Sequence, residues 1–182
     1  MRYGKLPAIK GPHFKAARFI DFAGLPTPEP EYHAWWRVPN GDLPMFGNDV
    51  EGDCTIAAAA HLIQIQEAHH GDRPPAITTA KVHEQYRKLS GGADTGLAMV
   101  NVCNVWRQKG ILGHKAACFL QVGANLDHVR KLVRLLGGVY TGFVVPDNCI
   151  PLFTSGGVWT AAGTALNEGH AVLIDGWRPS QY

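Results

Sequence analysis

Two stretches decide how this chain reads: "FGNDVEGDCTIAAAAHLIQ", residues 46–64, and "EGHAVLIDGW", residues 168–177. In the first, a Gly- and Asp-rich loop runs into an apolar segment with Cys54 at its start. Asp53 predicts an N-cap. Ile56, Ala59, Ala60, Ile63 and Glu67 then recur at helical spacing as far as His70, where Gly71 predicts the stop. In the second stretch, His170 follows Gly169 and opens an apolar run predicted as a strand over 171–175. The free N–H groups and the dipole of a helix start favour a thiolate, so Cys54 is predicted to have a lowered pKa. One Cys at a helix start with a distant His is the pattern of a nucleophile and base that meet only in the fold. Two structural readings compete with it: Cys54 as a buried residue beginning a core helix, and His170 as a satisfied strand residue. Asp53 also counts against a thiolate, because its charge opposes one unless the carboxylate is turned into the helix cap.

Outward from the Cys54 helix, three further helices are predicted. Thr79–Leu89 places Val82, Tyr86 and Leu89 on one side and ends at Ser90, Gly91 and Gly92. The next runs from Gly96 to Lys109 and stops at Gly110. The last opens at Asp127, puts Val129, Leu132, Val133 and Leu136 on one face, and halts at Gly137 and Gly138. The texture then changes: "VYTGFVV", residues 139–145, is β-branched and aromatic and predicts a strand. Helices first and strands last predict an α+β fold rather than an alternating parallel sheet. Residues 1–45 carry Pro7, Pro12, Pro26, Pro28, Pro30, Pro39 and Pro44, which forbid long helices and predict an extended arm wrapped over a body. The expected organisation is an N-terminal arm over 1–29 and one domain over 30–182.

The chain of 182 residues, 46% hydrophobic and 18% charged, has the composition of one globular domain. A net charge of +2 without any run of Lys or Arg gives no footprint for nucleic acid or an anionic membrane. The sequence has no membrane-length apolar stretch and residues 1–10 lack the apolar core of a secretory signal, so a cytoplasmic location is expected. Cys54, Cys103, Cys118 and Cys149 form no Cys-x-x-Cys pair, which argues against a metal site. Cys103 and Cys118 read as small buried hydrophobes, and His69 with His70 as a solvated helix end.

Taken together, these stretches resemble the papain-like cysteine peptidases, over about residues 30–177. "GNDVEGDCTIAAAAH" looks like that family's nucleophile helix, "DTGLAMVNVCNVWRQKGI" (94–111) like its helix ending in Gly-Ile, and "LDHVRKLVRLLGGVYTGFVV" (126–145) like its helix and first barrel strand. "GHAVLIDGW" looks like its His strand, and "PEYHAWWR" (30–37) is faintly similar to its extended start. The loop pattern Gly-Asn-Asp-x-x-Gly-Asp-Cys-Thr is similar to that of a distant branch in bacteria and their phages. The resemblance implies a helical half, with the nucleophile helix at its centre, packed on an antiparallel sheet or partial barrel. It implies Cys54 as nucleophile, His170 as base, and an oxyanion hole made by the Asn48 side chain and the Cys54 N–H. Gly47, Asp49, Gly52 and Asp53 belong to the nucleophile loop. Asn48 stands where the family keeps a Gln and is one methylene shorter.

No cofactor or metal is implied, and the partner is a peptide or protein substrate. The family's Cys-Gly-Ser-Cys-Trp signature is replaced by Glu-Gly-Asp-Cys-Thr, so its disulfide and tryptophan beside the nucleophile are missing. Its third residue, an Asn that orients the His, would lie after the twelve residues that follow His170. Asp175 is expected to point to the opposite strand face and not to replace it. A domain incomplete at its C-terminus, with a sheet edge open to self-association, is the expectation. Three functions stay open: a thiol-dependent hydrolase of peptide or amide bonds through a thioester, a catalytically inactive papain-like scaffold for binding or assembly, and another Cys-His acyl transferase or cell-wall amidase.

Overall fold

A computed structural model describes residues 4–7, 9, 13–38, 43–71, 76–160 and 162–179. The order of elements is β1 (Tyr32–His33), α1 (Cys54–His70), α2 (Thr79–Ser90), α3 (Met99–Gln108), α4 (Leu126–Leu136), β2 (Val139–Pro146), α5 (Cys149–Ser155), β3 (Ala165–Ile174) and β4 (Gly176–Trp177). The fold is α+β, as the order of sequence patterns predicts.

Helix α1 is the axle. Ten of its residues are buried, including the run Cys54–Ala60, and a helix apolar on all sides has to be enclosed on all sides. One face packs with α2 and α3 in a cluster of Phe46, Ile56, Ile63, Val82, Tyr86, Val102 and Trp106. Further along, Ile65 and Ala68 join Ala34, Val38 and Val133, backed by Val139, Leu173 and Trp177. The small side chains Ala57–Ala60 let these layers approach the helix backbone closely. Gly71 ends the helix in the left-handed region (φ 84) and returns its N–H to Ala68 and Glu67.

Strands β2 and β3 pair antiparallel with Phe143 opposite His170 and Gly142 opposite Ala171, and the register slips between Val144 and Pro146. β1 pairs antiparallel with β4. Strand β3 is longer than predicted, so His170 sits inside it rather than at its start. Helix α3 begins at Met99, three residues later than predicted, because Gly96 adopts φ 73 and Leu97 is engaged in a strand-like bridge with Lys5. Helix α4 is capped by Asn125, whose side chain accepts from the His128 N–H at 3.1 Å. Two expectations are corrected here. Cys118 is exposed, in the irregular stretch after α3, not a core residue. His69 is half-buried with its ring nitrogen 2.6 Å from the Ala34 carbonyl, so only His70 fits a solvated helix end.

The N-terminal segment runs across the body in both directions. Lys15 bridges Gln121, and Ala16 and Phe22 pack on Leu132. Lys5 lies between Leu97 on one side and Gly169 on the other. No helix among the described residues is long and apolar enough to cross a membrane.

Candidate active site

Cys54 stands at the first position of α1 and His170 in the middle of β3, and both face one cavity of about 190 Å³. Its other walls are Asn48, Ala57, Ala58, His61 and Asp175. The two halves of the fold are joined at this point by named bonds: the Ala171 N–H donates to Cys54 Sγ at 3.4 Å, and the Tyr140 hydroxyl donates to the Thr55 carbonyl at 2.9 Å. The structure therefore sets on one cavity the Cys54 and His170 that the sequence paired across more than a hundred residues.

The nucleophile loop is a series of tight turns. Phe46 (φ 54) and Gly47 (φ 89) are both in the left-handed region, and the Gly47 carbonyl accepts from Val50 and Glu51. A Cβ at Gly47 would run into the His83 ring, so glycine is required there on two counts. Asn48 is 5% exposed and lines the cavity, with its amide given to the Glu51 carbonyl at 3.3 Å. Asp49 points to solvent and forms no part of the cavity.

Asp53 occupies the N-cap position, but its side chain makes no cap bond, which corrects the sequence reading. The carboxylate is fully buried and turned toward α2, with His83 Nε2 3.5 Å from Oδ2. Burial pushes its pKa up to about 7. The Asn48 amide beside it pulls the other way, and Glu51 and Asp94 add like-charge repulsion. His83 also faces Glu51 at 3.7 Å, and Arg87 pairs with that same carboxylate.

The ionisation of the pair differs from the sequence expectation. Burial raises the Cys54 thiol, and the nearby Asp53 charge adds to the rise, against hydrogen bonds from the N–H groups of Ala171 and Gly4. Burial pushes His170 down to about 4. With both groups almost sealed from water, at 1% and 4% exposure, desolvation outweighs the helix dipole and the pair is held neutral.

The N-terminal segment passes beside the pair. Gly4 lies against Gly52, and its backbone N–H works against the rise of the Cys54 pKa, while the Lys5 N–H donates to the Gly169 carbonyl at 3.0 Å. His170 is further enclosed by Trp159 and Phe143, whose ring centroids lie 6.1 and 6.2 Å from it. Those two rings pack edge to face at 5.8 Å.

The layout of thiol helix, imidazole strand and cleft has a counterpart among solved structures. The chain superposes on the crystal structure of xylellain, a cysteine protease from Xylella fastidiosa, with a TM-score of 0.64. The fold is papain-like. The match covers 97% of this chain and 80% of xylellain at 17% identity. No family model matches the sequence, and no curated protein does.

Within the papain-like fold, sequence reasoning missed the place where the arm packs, Trp159 and His61, and it set Asp175 aside. The arm's proline content signals an extended segment but not its destination, and a lone Trp in the loop before β3 carries no periodic signal. His61 lies two turns after Cys54 on α1, and its Nε2 donates to the Pro44 carbonyl at 2.8 Å. Burial lowers its pKa. Asp175 follows the end of β3, so strand alternation does not carry to it. It lines the same cavity as His170, as do Ala171, Val172 and Leu173 from successive positions of β3, and burial raises its pKa against the pull of His61 and His33. Among the described residues no group of three or more His, Cys, Asp or Glu could hold a metal ion.

Proposed function

We propose that this protein is a thiol-dependent hydrolase of peptide or amide bonds, held in a closed state by its own N-terminal segment. The observation that carries the reading is the meeting of Cys54, at the start of a buried helix, with His170, on a facing strand, in one cavity of a papain-like fold. With the arm displaced, water enters, the desolvation that keeps both groups neutral is relieved, and the His170 imidazole takes the Cys54 proton. The thiolate attacks the carbonyl carbon, an S–C bond forms and the C–N bond breaks. The imidazolium gives its proton to the leaving amine. Water activated by the same imidazole then splits the thioester into a carboxylate and free Cys54. The Cys54 N–H and the Asn48 amide are the candidate donors for the oxyanion, each worth about 3 kcal/mol in such a site.

The test is acylation of the intact protein by an activated peptide ester, followed by mass spectrometry. An adduct on Cys54 is expected, absent in Cys54→Ala and about 10²–10⁴-fold slower in His170→Ala. Equal acylation of Cys54 with and without His170 would refute the pair.

A second reading, a papain-like scaffold used for binding or assembly, is favoured by two observations: the N-terminal segment packs beside Cys54 and His170, and the Cys54 pKa is raised rather than lowered. It predicts no adduct at Cys54 even when the arm is displaced.

A further inference from the structure

Gly4 is packed tightly between Gly52 and Gly96. A Cβ on Gly4 would fall inside the Gly52 carbonyl group, with the Gly52 Cα at 2.6 Å. From the far wall, a Cβ on Gly96 would collide with the Gly4 carbonyl, whose carbon would lie at 2.6 Å. Both obstacles are backbone, and neither wall is free to retreat. The Asp94 carboxylate accepts from the Gly52 N–H at 2.9 Å and from the Tyr86 hydroxyl at 2.8 Å, and that hydroxyl accepts from the Gly96 N–H at 2.9 Å. Tyr86 is itself fully buried in the α1–α2–α3 core. One tyrosine and one aspartate thus bolt the two walls together in a chain whose four cysteines are all free.

Beyond this gap the backbone is gripped on both sides. Leu97 gives its N–H to the Gly4 carbonyl at 2.6 Å and accepts from the Leu6 N–H at 3.0 Å, and Gly169 accepts from Lys5. The Lys5 stem lies over Gly142 of β2, where a Cβ would come within 2.6 Å of Lys5 Cε and 2.7 Å of Met99 Sδ. Gly142 therefore opens a trough for a long unbranched side chain.

We propose that the cleft is a glycine-gauged peptide site, which takes segments carrying glycine at the gap followed by a residue with a long unbranched side chain. Residues 4–6 of the chain itself are its resident occupant. They are not cleaved in this pose, because the Gly4 carbonyl is engaged by the Leu97 N–H. This rests on the hydrolase reading only for its extension to substrates, which must thread the same walls past Cys54 and so carry glycine at the gap.

The experiment reads access to Cys54 rather than turnover, so it succeeds or fails independently of catalysis. The rate of iodoacetamide alkylation at Cys54 is followed by site-resolved mass spectrometry in the full chain and in Gly4→Ala. The clash in the variant is expected to expel the arm and speed labelling about tenfold or more. Acetyl-Gly-Lys-Leu-amide added to Gly4→Ala should then slow labelling again, whereas acetyl-Ala-Lys-Leu-amide should not. Unchanged labelling in Gly4→Ala, or equal protection by both peptides, overturns the proposal. Should Gly4→Ala fail to fold, Lys5→Pro removes the N–H given to Gly169, touches neither wall and carries the same test with the same outcomes.

Discussion

Removing one oxygen from Tyr86 should loosen the cleft without touching it. In Tyr86→Phe the hydroxyl that bridges Asp94 and Gly96 is lost, while the ring stays in place among Phe46, Val82 and Trp106. Two hydrogen bonds disappear unequally. Asp94 keeps its bond from the Gly52 N–H, and its exposed carboxylate can take water in place of the phenol. The Gly96 N–H, whose bond to the hydroxyl is buried, is left without its acceptor. An orphaned buried donor costs about 1–3 kcal/mol, and a hydrogen bond replaced by water costs little, so the net loss is about 2 kcal/mol. For a chain of this size that corresponds to a fall in Tm of about 4–8 °C. The assay is a thermal melt of the wild type and variant beside the Cys54 alkylation rate. The wall at Gly96 is no longer tied to the wall at Gly52, so labelling of Cys54 should quicken as stability falls. A variant that melts within about 1 °C of the wild type and labels at the wild-type rate would refute the bolt.

Asp53 and His170 make opposite contributions to stability as pH changes. The folded state holds the Asp53 proton up to about pH 7 while the unfolded chain loses it near pH 4, so this group lowers stability as pH rises across that window. His170 is neutral in the folded state down to about pH 4 but is protonated in the unfolded chain below about 6.5, so it lowers stability as pH falls across that range. Asp53→Asn should therefore raise Tm at pH 8 more than at pH 4, and His170→Gln should raise it at pH 4 more than at pH 8. Melts of both variants that track the wild type at every pH would show that neither group is sealed. Asn48→Ala should cost about tenfold to a thousandfold in acylation rate if its amide serves the oxyanion. It should cost stability alone, read in the same melt, if the amide serves only the Glu51 carbonyl.

Much of this molecule is legible in its sequence because the signals are local. The alanine-rich run after Cys54 with Gly71 at its end, and the Asn125 and Gly137 boundaries of α4, are fixed within a turn or two, and each emerged within a residue or two of its expected place. That Cys54 and His170 line one cavity was legible as residue types with the right neighbours. The ionisation of that pair was not, because it depends on what covers it. Position at a helix start favours a thiolate, but burial between the helix and the strand that follows far downstream reverses the sign. The start of α3 was misplaced for the same reason, since Leu97 has helix-compatible neighbours and is held extended only by Lys5. Asp53 has the chemistry of a cap and lacks the geometry, because its carboxylate is drawn toward His83 on another helix. In each case the deciding partner is remote in sequence and carries no periodic mark.

The pairing of Lys5 with Gly169 spans nearly the whole chain, and this bears on how the molecule is made. Contacts of such long sequence separation form late, because the entropy of closing the loop is lost before the contact returns any energy. During synthesis residues 4–6 leave the ribosome well before the Gly169 carbonyl that Lys5 pairs with and the strand that carries it. The nascent protein therefore assembles α1, α2 and α3 around a gap that is still open, and Cys54 remains within reach of other chains until β3 is in place.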